Sequence, residues 1–204
     1  MCQIRVLSEL SKEEVRKIAE LHKQAFPDFF LTQLGLPFLK TLYFCYMEDS
    51  KSGIIVAEGD GLVKGFIAYS NDYPRFYKQL IKKHLLRFAF CSLGAAFRHP
   101  SFIKRLLRAF KKSNDVKKQE TYVELASICV DPKEEGKGIG TSLIDKMKAI
   151  TDFSVYEYIN LETDACENEA ANKFYIKNGF RLIRSYVTAE GRTMNEYRYY
   201  GEIE

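Results

Sequence analysis

A strand ending in Val130-Asp131-Pro132 passes through Lys133-Glu134-Glu135-Gly136-Lys137-Gly138-Ile139-Gly140-Thr141 into a helix, and this junction most restricts what the chain can build. Successive backbone N–H groups in such a loop converge on one point, and the helix N-terminus adds partial positive charge. Glycine is needed because the ligand approaches the backbone closely and some φ values are positive. The geometry suits a phosphate or pyrophosphate; a plain tight turn is the other reading of these residues taken alone. No Gly-Lys-Ser/Thr follows at P-loop spacing. A Rossmann fingerprint belongs early in a βαβ unit, which argues against a dinucleotide site here.

The rest of the chain reads as alternating elements. Gln3 to Leu7 is a strand. Ser11 and Glu14 form a capping box ahead of Val15, Ile18, Ala19, His22, Ala25 and Phe26 at helical spacing, and Pro27 ends that helix. A second helix is predicted from about Pro37 to Met47. Gly53 to Glu58 and Leu62 to Ser70 flank Gly59-Asp60-Gly61 as a hairpin. Thr121 to Val130 is a strand, Gly138 to Ile150 a helix and Tyr156 to Glu162 a buried strand. Glu169 to Lys177 is a helix stopped by Asn178-Gly179, and Phe180 to Val187 and Thr193 to Tyr200 close the chain as a hairpin. The pattern predicts one α/β domain over residues 1–204, a mixed sheet with helices on both faces. A helical insertion at about 71–119 separates the third and fourth strands.

The 204 residues are enough for one well-buried core, and 46% hydrophobic with 28% charged residues is globular composition. Five widely spaced cysteines without a CxxC pair argue against a disulfide framework or zinc site and fit a reducing cytoplasm. No secretory signal or membrane span is visible, and no His/Cys/Asp cluster suggests a metal. Asn71 to Lys118 holds 13 Lys/Arg against 2 Asp/Glu, a local +11 that leaves −7 for the rest of a chain of net charge +4. Phe102, Ile103, Leu106, Leu107 and Phe110 recur at helical spacing among Lys and Arg, so the insert reads as two or three basic amphipathic helices.

A second segment, Glu167-Asn168-Glu169-Ala170-Ala171-Asn172-Lys173-Phe174-Tyr175-Ile176-Lys177-Asn178-Gly179-Phe180, joins the first. Together they resemble the GCN5-related N-acetyltransferase (GNAT) superfamily: its pyrophosphate motif Arg/Gln-x-x-Gly-x-Gly/Ala and its E-N-x-x-A-x-x-F-Y-x-x-x-G-F motif. The resemblance covers about Thr121 to Val187 and agrees with the element order from residue 3 onward. It implies an acyl-CoA N-acyltransferase fold and acetyl-CoA as donor, with no metal. It implies that the stretch Glu135, Gly136, Lys137, Gly138, Ile139, Gly140 and Thr141 holds the pyrophosphate through its amides. The backbone of Ile128, Cys129 and Val130 would pair with the pantetheine arm, the Val130 amide polarising the thioester carbonyl. Asn168 would bond the pantetheine, and Tyr175 would protonate the leaving thiolate. Glu135 stands where the family has Arg or Gln; Lys133 and Lys137 are the candidate compensating charges. Glu124, eleven residues before Glu135, sits at the offset of the catalytic glutamate of histone-acetylating members. A general base, a substrate-ammonium anchor and a solvent-facing strand residue are its three readings.

The acceptor is implied to be a small-molecule amine received between the first two helices and the later strands. The stretch F-F-L-T-x-L-G-x-x-F-L (residues 29–39) before a basic insert resembles a branch associated with bacterial surface-polysaccharide pathways, which implies an amino sugar, nucleotide-linked in one version. The insert's charge suits a phosphorylated acceptor, an anionic membrane surface, an acyl carrier protein or a homodimer contact; no nucleic-acid motif accompanies it. A non-catalytic acyl-CoA-sensing module with the same fold is the alternative function.

Overall fold

The computed structural model describes residues 2–7, 11–27, 29–98, 120–189 and 191–201. In chain order it holds β1 (Gln3–Val6), α1 (Lys12–Ala25), α2 (Phe30–Gln33), α3 (Leu36–Glu48), β2 (Ser52–Gly59), β3 (Leu62–Ser70), α4 (Tyr73–Arg98) and β4 (Tyr122–Val130). A 3-10 turn (Pro132–Glu134) leads to α5 (Ile139–Ile150), β5 (Tyr158–Asp164), α6 (Glu169–Lys177), β6 (Arg181–Val187) and β7 (Thr193–Tyr199). The seven strands form one mixed sheet in the order β1-β2-β3-β4-β5-β7-β6. Every neighbouring pair is antiparallel except β4 with β5.

Two apolar clusters hold the layers together, one on each face of the sheet. On one face Ile18, Leu39, Tyr43 and Phe76 of α1, α3 and α4 pack on Val56 and Phe66. On the other, Leu143, Ile144 and Met147 of α5 and Tyr175 of α6 pack on Ile55, Ile67, Val123 and Ile159. The capping box of α1 is formed, with the Glu14 amide donating to Ser11 Oγ at 3.1 Å and the Ser11 amide to Glu14 Oε2 at 3.1 Å.

Three sequence expectations shift. The fifth strand starts at Tyr158, because the Asp152 carbonyl accepts from the Val155 and Tyr156 amides and its carboxylate from Ser154, folding that stretch into a turn. Between the two helices expected from the sequence, Phe30–Gln33 forms a further four-residue helix. The first half of the insert is a single 26-residue helix, α4; the Phe102-to-Phe110 stripe and His99 lie outside the described residues. Packing of α4 on α3 also gathers Cys45, Glu48 and His84, with donor atoms within 4.8 Å of one another, which sequence spacing does not reveal. His84 Nε2 lies 3.0 Å from Glu48. Among the described residues no helix is long and apolar enough to cross a membrane.

His22 makes stability pH-dependent. It is buried in α1 against Tyr43, whose hydroxyl bonds Nδ1, while Nε2 has no hydrogen-bond partner among the described residues. Burial pushes its pKa from 6.5 down to about 4. Between those values the unfolded chain binds the proton and the folded chain does not, so stability is lost as pH falls. From pH 6.5 to 4.5 the expected loss is about 2 to 3 kcal/mol, read as a drop in urea midpoint that His22→Gln flattens. Glu134 does not blur this window. Hydrogen bonds from Lys137 and Lys64 lower its pKa to about 2, so its contribution is lost below the ordinary carboxylate range.

Candidate active site

The site grows from an irregularity in β4. Ala68 pairs with Ser127 but Tyr69 pairs with Leu125, so Ala126 is an extra residue on β4 and a β-bulge results. Val123 and Leu125 face α5; beyond the bulge Cys129 faces α1 while Ile128 and Val130 face α5. Glu124 therefore points to the α1–α3–α4 side. Pairing with β5 covers only Tyr122–Glu124 against Tyr158–Asn160. Past that point β4 follows β3 and β5 follows β7, so the two strands part. The Asp131 amide donates to the Lys64 carbonyl at 2.8 Å. By alternation the Ile128 and Val130 amides point to the opposite edge, into the opening.

At the mouth of the opening lies the glycine loop. The Asp131 carboxylate accepts from the Lys133 amide at 2.9 Å and starts the 3-10 turn. Gly136 and Gly138 then take φ of +77° and +78°, and Gly138 is the N-cap of α5. A Cβ on either would meet nothing within 4 Å, so the loop is not crowded at these two glycines. A Cβ on Gly140 would sit 3.1 Å from the Phe174 ring. The two sequence segments, far apart in the chain, thus touch at Gly140. Glu134 is paired with Lys137 at 2.7 Å and with Lys64 of β3 at 2.8 Å. Lys137 is thus shared with Glu134, and Glu135 lies exposed beside the loop.

Tyr175 on α6 is 8% exposed, its ring against Phe174, Phe180 and Tyr197, and burial raises its pKa. Asn168 begins α6, and its amide nitrogen donates to Thr163 Oγ1 at 2.8 Å. Cys129 is buried, its thiol 3.7 Å from the Leu21 carbonyl and pushed up in pKa by burial, which suits a packing thiol better than an acyl carrier. Glu124 is 8% exposed and accepts from Asn160 Nδ2 at 2.8 Å. Asn160 escaped the sequence reading, although a polar residue in the apolar run Tyr158-Ile159-Asn160-Leu161 was the available signal. So did Asn172, whose Oδ1 accepts from Asn195 and Tyr197 and ties α6 to β7.

A profile of the Acetyltransferase (GNAT) family matches residues 15–180. The chain belongs to that family. Solved structures share the fold. An N-acetyltransferase of Staphylococcus aureus Mu50 is 18% identical over 99% of each chain, with a TM-score of 0.61. The ribosomal-protein-S18-alanine N-acetyltransferase of Escherichia coli is 14% identical over 100% of this chain and 96% of its own, with a TM-score of 0.59. A Bacillus anthracis acetyltransferase in complex with acetyl coenzyme A is 18% identical over 78% of this chain and 67% of its own, with a TM-score of 0.50. No curated protein matches the sequence significantly.

Gly138→Asp tests the loop. It forces a side chain into a left-handed backbone at about 1–2 kcal/mol and puts a carboxylate where a phosphate is expected. CoA affinity measured by calorimetry should fall at least about tenfold; an unchanged affinity would remove the loop from the cofactor site.

Proposed function

We propose that this chain is an acetyl-CoA-dependent N-acetyltransferase that moves the acetyl group directly to a primary amine, with the amine of an amino sugar or nucleotide-linked amino sugar as the acceptor class. One observation supports the reading: Glu124 stands at the last residue pair before β4 and β5 part, Tyr175 lies in the cluster on the other face of the sheet, and the glycine loop follows the free end of β4. A pantetheine arm lying in the opening along Ile128, Cys129 and Val130 presents its thioester to both groups. The pyrophosphate rests on Gly136 to Thr141, and Asn168 lies beside the arm.

The chemistry then balances. The bound ammonium gives one proton to Glu124, directly or through water, and the amine nitrogen attacks the thioester carbon. The oxyanion is received by the Val130 amide. As the adduct collapses, the C–S bond breaks and Tyr175 protonates the thiolate; the nitrogen's second proton passes through solvent to restore the Tyr175 phenol, and Glu124 gives its proton to bulk water, so one proton is released overall. The cytoplasm is the compartment this donor and the five free cysteines suit. Exposed Glu135, a departure from the family's Arg or Gln, leaves room for a second reading, an acyl-CoA sensor without catalysis. Release of CoA thiol from acetyl-CoA on adding a panel of primary amines separates the two. Binding of acetyl-CoA without release, whichever amine is added, would leave the sensor.

A further inference from the structure

The insert carries the chain's basic excess, yet its described helix turns phenols toward Glu124. Ser70 lies opposite Glu124 across the β3–β4 pair, and α4 begins three residues later at Tyr73. Tyr73 and Tyr77, one turn apart, have hydroxyls 3.2 Å apart and rings edge to face at 4.8 Å. Tyr46 of α3 joins them by stacking on Phe76 at 4.3 Å. Burial raises the pKa of Tyr46, Tyr73 and Tyr77, and the charge of Glu124 raises each further. All three stay phenols. From the sheet side, Asn160 holds Glu124, and Tyr122 stacks on Tyr158. Burial raises the Tyr122 pKa first, then the charges of Glu124, Glu162, Glu196 and Asp72. The cations near this place are engaged. Arg198, opposite Asn160 and two strands from Glu124, is bound to Glu196 and Glu120. Arg184 is bound to Glu196, and Arg75 of α4 faces Asp49 at 3.1 Å.

We propose that the first two turns of α4 form the wall of the acceptor pocket, with Tyr73 and Tyr77 as specificity-determining residues. The acceptor enters as an alkylammonium whose nearest anionic group lies several bonds from the nitrogen. The proposal rests on the acetyl-transfer reading for the role of the site, but the pocket itself is an electrostatic statement. A buried carboxylate attracts a cation through its charge, and the Tyr73 and Tyr77 hydroxyl oxygens near it can accept from the ammonium N–H groups. The same carboxylate, with Asp72 and Glu162 nearby, repels a carboxylate or phosphate attached next to the amine. The basic residues Lys78, Lys82, Lys83 and Arg87 lie on the exposed side of the helix, so they do not serve the amine. A substrate phosphate can be met only away from the reacting nitrogen.

The test pairs each of glycine, 4-aminobutyrate and 6-aminohexanoate with the alkylamine of equal carbon number. Binding to the CoA-loaded protein is measured by calorimetry, and acetylation by acceptor KM. The penalty for the carboxylate should be at least about tenfold for glycine and shrink toward unity for 6-aminohexanoate. Tyr77→Phe and Tyr73→Phe should raise the alkylamine Kd and KM several-fold while the acetyl-CoA KM and the melting temperature stay put. A penalty independent of chain length, no alkylamine binding at millimolar concentration, or unchanged acceptor constants in both variants overturns the proposal. If the binding series ranks as stated but no amine is acetylated, the pocket stands and the catalytic reading falls. If amines are acetylated but the series is flat, the reverse holds.

Discussion

Tyr175→Phe should lower the single-turnover rate of acetyl transfer by about 100- to 10,000-fold, the usual worth of a positioned general acid, while acetyl-CoA affinity changes little. The substitution removes one oxygen and keeps the ring that Phe174, Phe180 and Tyr197 enclose. Packing is therefore conserved, and a fall in rate cannot be assigned to a collapsed core. Burial keeps the phenol protonated, so it is available as a donor but not as a base at neutral pH. That fits a group that delivers a proton to a thiolate leaving from the α5–α6 face. Single-turnover measurement matters because slow product release would hide a large effect on the chemical step. An unchanged single-turnover rate would make Tyr175 a core aromatic and return the acid role to solvent.

Much of this arrangement is legible from residues close together in the chain. The glycine loop, the capping box at Ser11 and the stop at Asn178-Gly179 depend on local backbone chemistry, and each stands where the pattern puts it. The two hairpins, β2 with β3 and β6 with β7, follow from hydrophobic runs around glycine turns, whereas the order β5-β7-β6 and the parallel β4–β5 pair do not. What does not appear in the sequence is what the fold brings together from afar. The bulge at Ala126 decides which face Glu124 takes, and a bulge in an apolar strand leaves no compositional mark. The Lys64–Glu134–Lys137 group depends on β3 lying beside the loop, so the sequence shows a lysine next to a glutamate but not which partner engages it. Asn160 meets Glu124 only through the one parallel pairing of the sheet. The insert is the sharpest case. Its lysines dominate the composition, while the tyrosines of α4, which face the catalytic candidate, look like ordinary aromatics until Ser70 is placed opposite Glu124.

Glu124 is 8% exposed, which overturns the solvent-facing reading, and Glu124→Gln separates the base from the ammonium anchor and from a purely structural residue. Gln has nearly the same shape, and its carbonyl oxygen can still accept from Asn160, so the fold and the acceptor wall should persist. If Glu124 is the base, the single-turnover rate near pH 7 should fall by about 100- to 10,000-fold. The residual rate then depends on amine that arrives already neutral. Primary alkylamines titrate near a Lys-like pKa of about 10, so the variant's rate should climb about tenfold per pH unit toward that value. The wild type should show a shallower rise, because its own carboxylate removes the proton after binding. If Glu124 only anchors the ammonium, the acceptor KM rises while the rate at saturation holds, since uniform binding is lost without loss of transition-state stabilisation. If neither quantity moves, Glu124 is a structural partner of Asn160. The proton from the amine must then leave by another route, to solvent before the nitrogen attacks, because the tyrosines of α4 stay protonated and cannot take it.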